Sequence, residues 1–341
     1  MKVHTYAWIL WLISGLVMIT TTRNPLIILL VVLILLVFQI RISDNASRIL
    51  KTSFQFSLSV LTLSTVFNMF ISRFGETVLF RLPETIPLLG GNFTLEAVVY
   101  GFTNGLILIG IFSLFMILNQ VVSVHSLVRL IPQAFHPVAV VTTIAITFIP
   151  ASQKQFQAIR EAQAIRGQQL KKLKDWLPLI IPLLIGGLER AMQIAEAMTA
   201  RGFSSQEEQK TSTFEKILLP FGLLFITLGW ILELSPTTYF SGWWLITGGL
   251  VMLLGLFFLG GRKVKKTVYA EEPWTTSSTW ISIIGLLIIL IFLLPIPGNE
   301  MLKYDPYPKF GLPEFPIFQG FATLALILPL FFVKEVAHDQ D

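Results

Sequence analysis

Apolar and polar positions alternate along this chain in long blocks, not at the two- or three-residue spacing of a soluble domain. Eight blocks are apolar almost throughout: Tyr6–Thr22, Pro25–Ile40, Phe54–Ile71, Leu95–Leu118, Ile217–Leu234, Trp243–Gly260, Trp280–Leu294 and Ile317–Val333. Most approach or exceed the roughly 18–20 residues that carry an α-helix across a bilayer, and each is read as a membrane span. The first block, with Lys2 ahead of it, faintly resembles a signal peptide. No small-x-small cleavage site follows, and Thr20–Pro25 leads straight into the next block, so it is read as the first membrane helix.

Two further apolar runs, Val138–Ile149 and Trp176–Leu188, are too short to span and are bounded by Pro137, Pro150, Pro178 and Pro182. They are either re-entrant or the membrane-facing halves of longer helices. Polar stretches with helical periodicity follow both. In Gln153–Arg166, the apolar residues Phe156, Ile159, Ala162 and Ile165 recur every three positions. In Leu188–Arg201, Leu188, Ala191, Met192, Ala195 and Met198 form a comparable set. Each set predicts one apolar helix face.

Composition strengthens the membrane reading. Of 341 residues, 54% are hydrophobic and only 13% charged, against about 25% charged in soluble domains; the mean hydropathy is +0.73. No cysteine occurs, so disulfide and thiolate chemistry are excluded. The net charge of +5 speaks for topology rather than nucleic acid, because the basic residues are unevenly spread. With a cytoplasmic N-terminus, segments 1–5, 41–53, 119–216, 261–279 and 334–341 hold 20 of the 25 lysines and arginines, as the excess of cytoplasmic basic residues requires. The outside connections keep only Arg23, Arg73, Arg81, Lys303 and Lys309, and the last, Pro295–Pro316, carries six prolines and is expected to be irregular. The expected fold is all-α and polytopic, with about eight transmembrane helices and a cytoplasmic coupling-helix segment. Its regions are 1–118 (membrane), 119–216 (coupling) and 217–341 (membrane).

The coupling segment repeats one phrase, Glu-Ala-x-x-x-Arg-Gly. The first copy is Glu161-Ala162-Gln163-Ala164-Ile165-Arg166-Gly167 and the second Glu196-Ala197-Met198-Thr199-Ala200-Arg201-Gly202. A bland account is helix capping, since glycine tolerates the left-handed C′ conformation and a cation suits the last turn. One copy would be covered by that account. Two copies in the one extensive cytoplasmic segment favour a functional one: a guanidinium is a rigid five-donor fork that grips a carboxylate bidentately, which lysine cannot do. Two such tips held by a partner would act as levers.

These residues resemble the transmembrane T component, or coupling subunit, of energy-coupling factor (ECF) transporters, a family of cobalt and vitamin uptake permeases. Those proteins carry two Ala-Arg-Gly-like motifs at the ends of cytoplasmic coupling helices. Ala200-Arg201-Gly202, followed by Phe203, matches fully; Ala164-Ile165-Arg166-Gly167 departs by isoleucine where alanine is usual. Asn24-Pro25-Leu26, Phe148-Ile149-Pro150 and Leu177-Pro178-Leu179 are also similar, and the resemblance covers roughly 1–235. It implies two ABC-type ATPases at the tips, with Glu161 and Glu196 in support. It also implies a membrane-embedded S component that binds a vitamin or transition-metal ion, in a bacterial or archaeal plasma membrane. Three spans beyond residue 235 depart from the family pattern.

Other polar residues weigh less. His125 and His136 flank Arg129 without a carboxylate nearby, which fits interfacial anchoring better than metal ligation. Glu233 ends a span and is expected to reach the interface rather than form a coupling-ion site. Glu189-Arg190 reads as a local surface or inter-helix pair. No G-x-x-x-x-G-K-[ST] phosphate cradle occurs, so no nucleotide cofactor is expected on this chain and ATP belongs to the partners. An intramembrane enzyme would show acidic or histidine clusters, and a stand-alone secondary transporter would show broken helices with midplane polar sites. Neither pattern stands out.

Overall fold

The computed structural model describes residues 3–43, 46–72, 74–82, 91–132, 135–167, 173–202, 213–234, 242–261 and 272–332. Where the sequence is apolar in blocks, the chain is helical: α1 (Thr5–Thr21), α2 (Pro25–Ile42), α3 (Ala46–Ile71), α4 (Leu95–Val121), α5 (Val124–Arg129), α6 (His136–Ile165), α7 (Leu177–Ala200), α8 (Thr213–Leu234), α9 (Trp243–Gly261), α10 (Thr276–Leu293) and α11 (Ile317–Leu324), which runs on as a 3-10 helix over Ala325–Phe331. Among the described residues, five stretches are long and apolar enough to cross a membrane: α2, Leu50–Ile71, α4, α7 and α10. Four shorter apolar helices accompany them. The protein is a helical, multi-pass membrane protein.

Two features add to the sequence reading. The runs at Val138–Ile149 and Trp176–Leu188 are the first halves of the continuous helices α6 and α7, which carry Pro150 and Pro182 in their interiors. A small antiparallel hairpin, β1 (Val78–Leu82) with β2 (Gly91–Thr94), precedes α4. Phe80 and Phe93 stack across it at 4.6 Å, the cross-strand aromatic pairing that stabilises short ribbons.

The chain forms two compact units, residues 1–126 with 269–341, and residues 127–268. In the first, α1 packs on α4 and α10, and α2 packs on α4 and α11. Trp8, Trp11 and Phe38 form a ring cluster with centroids 5.2 to 6.3 Å apart. Buried Trp11 donates its indole N–H to the Leu326 carbonyl at 3.1 Å, which satisfies a polar group that lipid could not. On α4, a methyl group at Gly101 would come within 2.9 Å of α3 backbone atoms. Glycine there lets Ser64 Oγ reach the Gly101 carbonyl at 2.8 Å, small-residue packing typical of membrane helices.

Polar groups sew the connections of this unit together. Asn24 caps α2 by accepting from Leu26 N–H at 3.0 Å, and its amide donates to the carbonyls of Met301 and Glu314 at 3.1 and 2.6 Å. Asn followed by Pro at the first helical position is a strong helix start; the two extra donations fasten the α1–α2 turn to the proline-rich segment. That segment is irregular apart from a 3-10 turn at Asn299–Leu302, as its prolines predict. At the other helix ends, the Glu272 carboxylate accepts from Thr5 N–H (3.2 Å), Thr5 Oγ1 (2.7 Å) and Ser126 Oγ (2.8 Å).

The second unit holds the hairpin of α8 and α9 and the pair α6 and α7. In the hairpin, Gly222 lies against Gly249 and Gly229 against Gly242. The two backbones approach so closely that a methyl group on Gly229 would meet the Gly242 carbonyl at 2.8 Å. Glu233 accepts from Gly242 N–H at 3.1 Å, which gives that carboxylate a local task in closing the α8–α9 connection.

Candidate functional site

The two copies of Glu-Ala-x-x-x-Arg-Gly fold into the same local structure. Arg166 ends α6 at φ −75°, ψ 5°, and Arg201 ends α7 at φ −85°, ψ 7°. Each is followed by a left-handed glycine, Gly167 at φ 79° and Gly202 at φ 77°. The final turns close alike. Arg166 N–H donates to Ala162 O at 3.3 Å and Gly167 N–H to Ala164 O at 3.0 Å; Arg201 N–H donates to Ala197 O at 3.2 Å and Gly202 N–H to Thr199 O at 2.9 Å. This is glycine C-capping, in which a residue without Cβ turns the chain off the helix axis.

The capping account therefore divides. Backbone and glycine finish each helix, but the arginine side chains take no part in it. Both are exposed, and neither guanidinium makes a hydrogen bond or ion pair among the described residues. Glu161 and Glu196 are exposed too. They sit five residues before their arginines, off the three- and four-residue spacings that bring helical side chains together. Ala164, Ala200, Gly167 and Gly202 are likewise exposed. Ile165 is 88% exposed. Phe203 lies outside the described residues.

The predicted apolar faces need correction. On α6 the half-buried positions are Ala151, Ser152, Gln155, Phe156, Ile159 and Gln163, whereas Ala162 and Ile165 are exposed. A strict three-residue repeat falls back about 60° per step on a 3.6-residue helix, so Ile165 lies on the far side from Phe156. On α7 the half-buried face in the second half is Ile194 and Met198, while Leu188, Ala191, Met192 and Ala195 are exposed. Contacts of α6 with α7 and the turn before it involve Phe148, Phe156 and Gln163 on one side and Trp176, which precedes α7, with Pro178 and Gly187 on the other. The Phe156 and Trp176 rings stack at 6.5 Å, and Phe148 Cζ lies 3.7 Å from where a Gly187 Cβ would sit. Glu189 and Arg190 are both exposed and unpaired among the described residues. Adjacent helical residues diverge by about 100° and do not face each other.

The long-range polar ties were not readable beforehand. Glu96, fully buried in the first turn of α4, accepts from Thr77 N–H at 3.0 Å and Phe310 N–H at 3.1 Å through one oxygen. Its other oxygen has no partner among the described residues. An acid in the first turn of a helix was the available signal. Nothing local shows that its second donor comes from 214 residues away.

Residues 3–213 match the model of the family described as cobalt transport protein, CbiQ. An energy-coupling factor transporter transmembrane protein of Leuconostoc gelidum subsp. gasicomitatum is 37% identical over 93 residues, 26% of this chain and 35% of the relative. The protein of the same name from Exiguobacterium sibiricum is 33% identical over 109 residues, 28% and 40% of the two chains. That of Bacillus selenitireducens is 26% identical over 206 residues, 54% and 72%. The match thus spans about a third to two fifths of the first two relatives and more of the third.

Proposed function

Because the chain belongs to the cobalt transport protein family CbiQ, we propose that it is the transmembrane coupling subunit of an ATP-driven ECF-type importer. In this reading Arg166 and Arg201 dock into two ABC-type ATPases. Their motion is passed through α6 and α7 to a membrane-embedded S component that binds a vitamin or transition-metal ion. The observation that carries the proposal is the pair of exposed arginine tips, alike in backbone geometry and without a side-chain partner among the described residues. A guanidinium at the end of a rigid helix, with no partner among the described residues, is available to a carboxylate elsewhere. The exposed alanines around it let a groove close over the tip. ATP is bound by the partners, since this chain has no phosphate cradle, and its own role is mechanical rather than catalytic.

Removing one partner of a buried, hydrogen-bonded charge pair costs roughly 2–5 kcal/mol. Each Arg→Ala change is therefore expected to weaken co-purification with the ATPases and uptake. The double variant is expected to abolish both, and Arg→Lys to rescue poorly. A double variant that assembles and transports like the parent chain would falsify the docking role.

The distribution of basic residues supports cytoplasmic termini and a cytoplasmic position for both tips. The chain lacks cysteine, so single cysteines report without background. One at Ala158 should react with an impermeant maleimide only in opened cells, and one at Leu312 in intact cells. The reverse pattern would invert the topology.

A further inference from the structure

The two tips share one backbone geometry, but their side chains differ at the three positions before the arginine, Gln163, Ala164 and Ile165 against Met198, Thr199 and Ala200, and the residue next to the arginine differs most in apolar bulk. Before Arg166 stands Ile165; before Arg201 stands Ala200. With 88% of its surface exposed and on the opposite side of α6 from Phe156, Ile165 does no packing for its own chain. Branched and apolar, it sits beside an unpaired cation at the very end of a helix. Gly167 then turns the chain away, and a Cβ there would meet nothing within 4 Å.

We infer that Ile165 makes the two tips unequal anchors. The reading rests on the docking role proposed above and adds to it. The first tip is a two-part key, an apolar side chain and a guanidinium side by side. It fits a partner surface that offers a small apolar pocket next to an acidic group. At the second tip the residue before Arg201 adds no more than the Ala200 methyl, so among the described residues that tip is held by its charge-assisted hydrogen bonds and close backbone approach. Apolar burial is insensitive to salt, whereas pairing of incompletely buried charges is screened. The first contact therefore persists at ionic strengths that loosen the second, and Ile165 is the specificity-determining residue that sets the difference.

The inference is tested on the intact complex of this chain with its ATPases in nanodiscs, by following complex lifetime at rising salt. Ile165→Ala removes three buried carbons, which at the usual value per methylene shortens the lifetime roughly ten- to sixty-fold. The complex is expected to disperse at lower salt than the parent. Ile165→Val and Ile165→Leu should stay within a few-fold, because they keep most of the apolar volume. Since Ile165 is exposed, all three variants should keep the helical content and unfolding midpoint of the isolated subunit, which separates a docking role from a folding one. An Ile165→Ala complex with the parent lifetime and salt profile overturns the inference. If the double arginine variant assembles normally, the docking reading fails as well. If that variant falls apart while Ile165→Ala behaves as the parent, only the inequality of the tips is refuted.

Discussion

The unit built from α1–α4, α10 and α11 and the helix pair α6–α7 use the same ingredients to opposite ends. In the first, polar side chains look inward. The Trp11 indole, the Asn24 amide and the Glu96 and Glu272 carboxylates all meet partners more than 200 residues away in sequence. In the second, the polar groups look outward: Arg166, Arg201, Glu161 and Glu196 meet none among the described residues, and much of the apolar surface of α7 is uncovered. The first region ties most of its described buried polar groups to itself, one Glu96 oxygen excepted. The second leaves its described charged groups exposed, as the docking role proposed for the tips requires. The family match ends at residue 213, yet α10 and α11 belong to the same compact unit as α1–α4. The late helices are therefore part of the framework rather than an appendage.

That contrast can be broken most forcefully at Trp11. Trp11→Ala empties a fully buried site and leaves the Leu326 carbonyl without its donor. The loss is expected to be about 3 kcal/mol or more, read as a large drop in the unfolding midpoint of the subunit in detergent. Leu188→Ala, at a site 64% exposed, should stay within about 0.5 kcal/mol in the same measurement. Equal losses at the two sites would mean that α7 is as self-supporting as α1.

A finer probe is Glu272. Burial alone would raise its pKa, but hydrogen bonds from Thr5 and Ser126 and the charge of His4 outweigh it and hold the carboxyl below its ordinary value. A carboxylate with a lowered folded pKa adds stability that is fully present above the unfolded value, about 4.3. That stability is lost as pH falls through the folded value. The parent chain should therefore lose stability below about pH 5 more steeply than Glu272→Gln. The effect is expected to be small, because the group is only partly buried. Superimposable pH profiles would remove Glu272 from the set of inward-facing ties.

How much of this was written in the sequence follows from the range of each interaction. The apolar helices were legible because a bilayer needs long apolar runs, and the predicted ends of α1, α2 and α4 lie within a few residues of those found; the five stretches long enough to cross include α7, whose apolar run alone had looked too short. The start of α3 was missed by eight residues: Ala46–Ser53 is polar but still helical, and hydropathy senses the bilayer, not the helix. The arginine tips were legible because repetition betrayed them. The faces of α6 were misphased, because a three-residue repeat looks helical over two steps and drifts half a turn over three. Asn24, Glu96 and Glu272 carry only half of their signal locally; the other half is a backbone group or hydroxyl far along the chain.

The stitching of the α1–α2 turn also has a consequence in time. The carbonyls that receive the Asn24 amide lie 277 and 290 residues downstream, and the one that receives the Trp11 indole lies 315 downstream. A ribosome adding about 5–20 residues per second takes roughly a quarter of a minute to a minute to supply them. Through that interval the first helical hairpin sits in or beside the membrane with these donors unanswered, held by water, lipid headgroups or the insertion machinery. Maturation of this subunit is thus timed by the stretch from Met301 to Leu326, and a ribosome that stops after α9 releases a chain whose opening hairpin can never be completed.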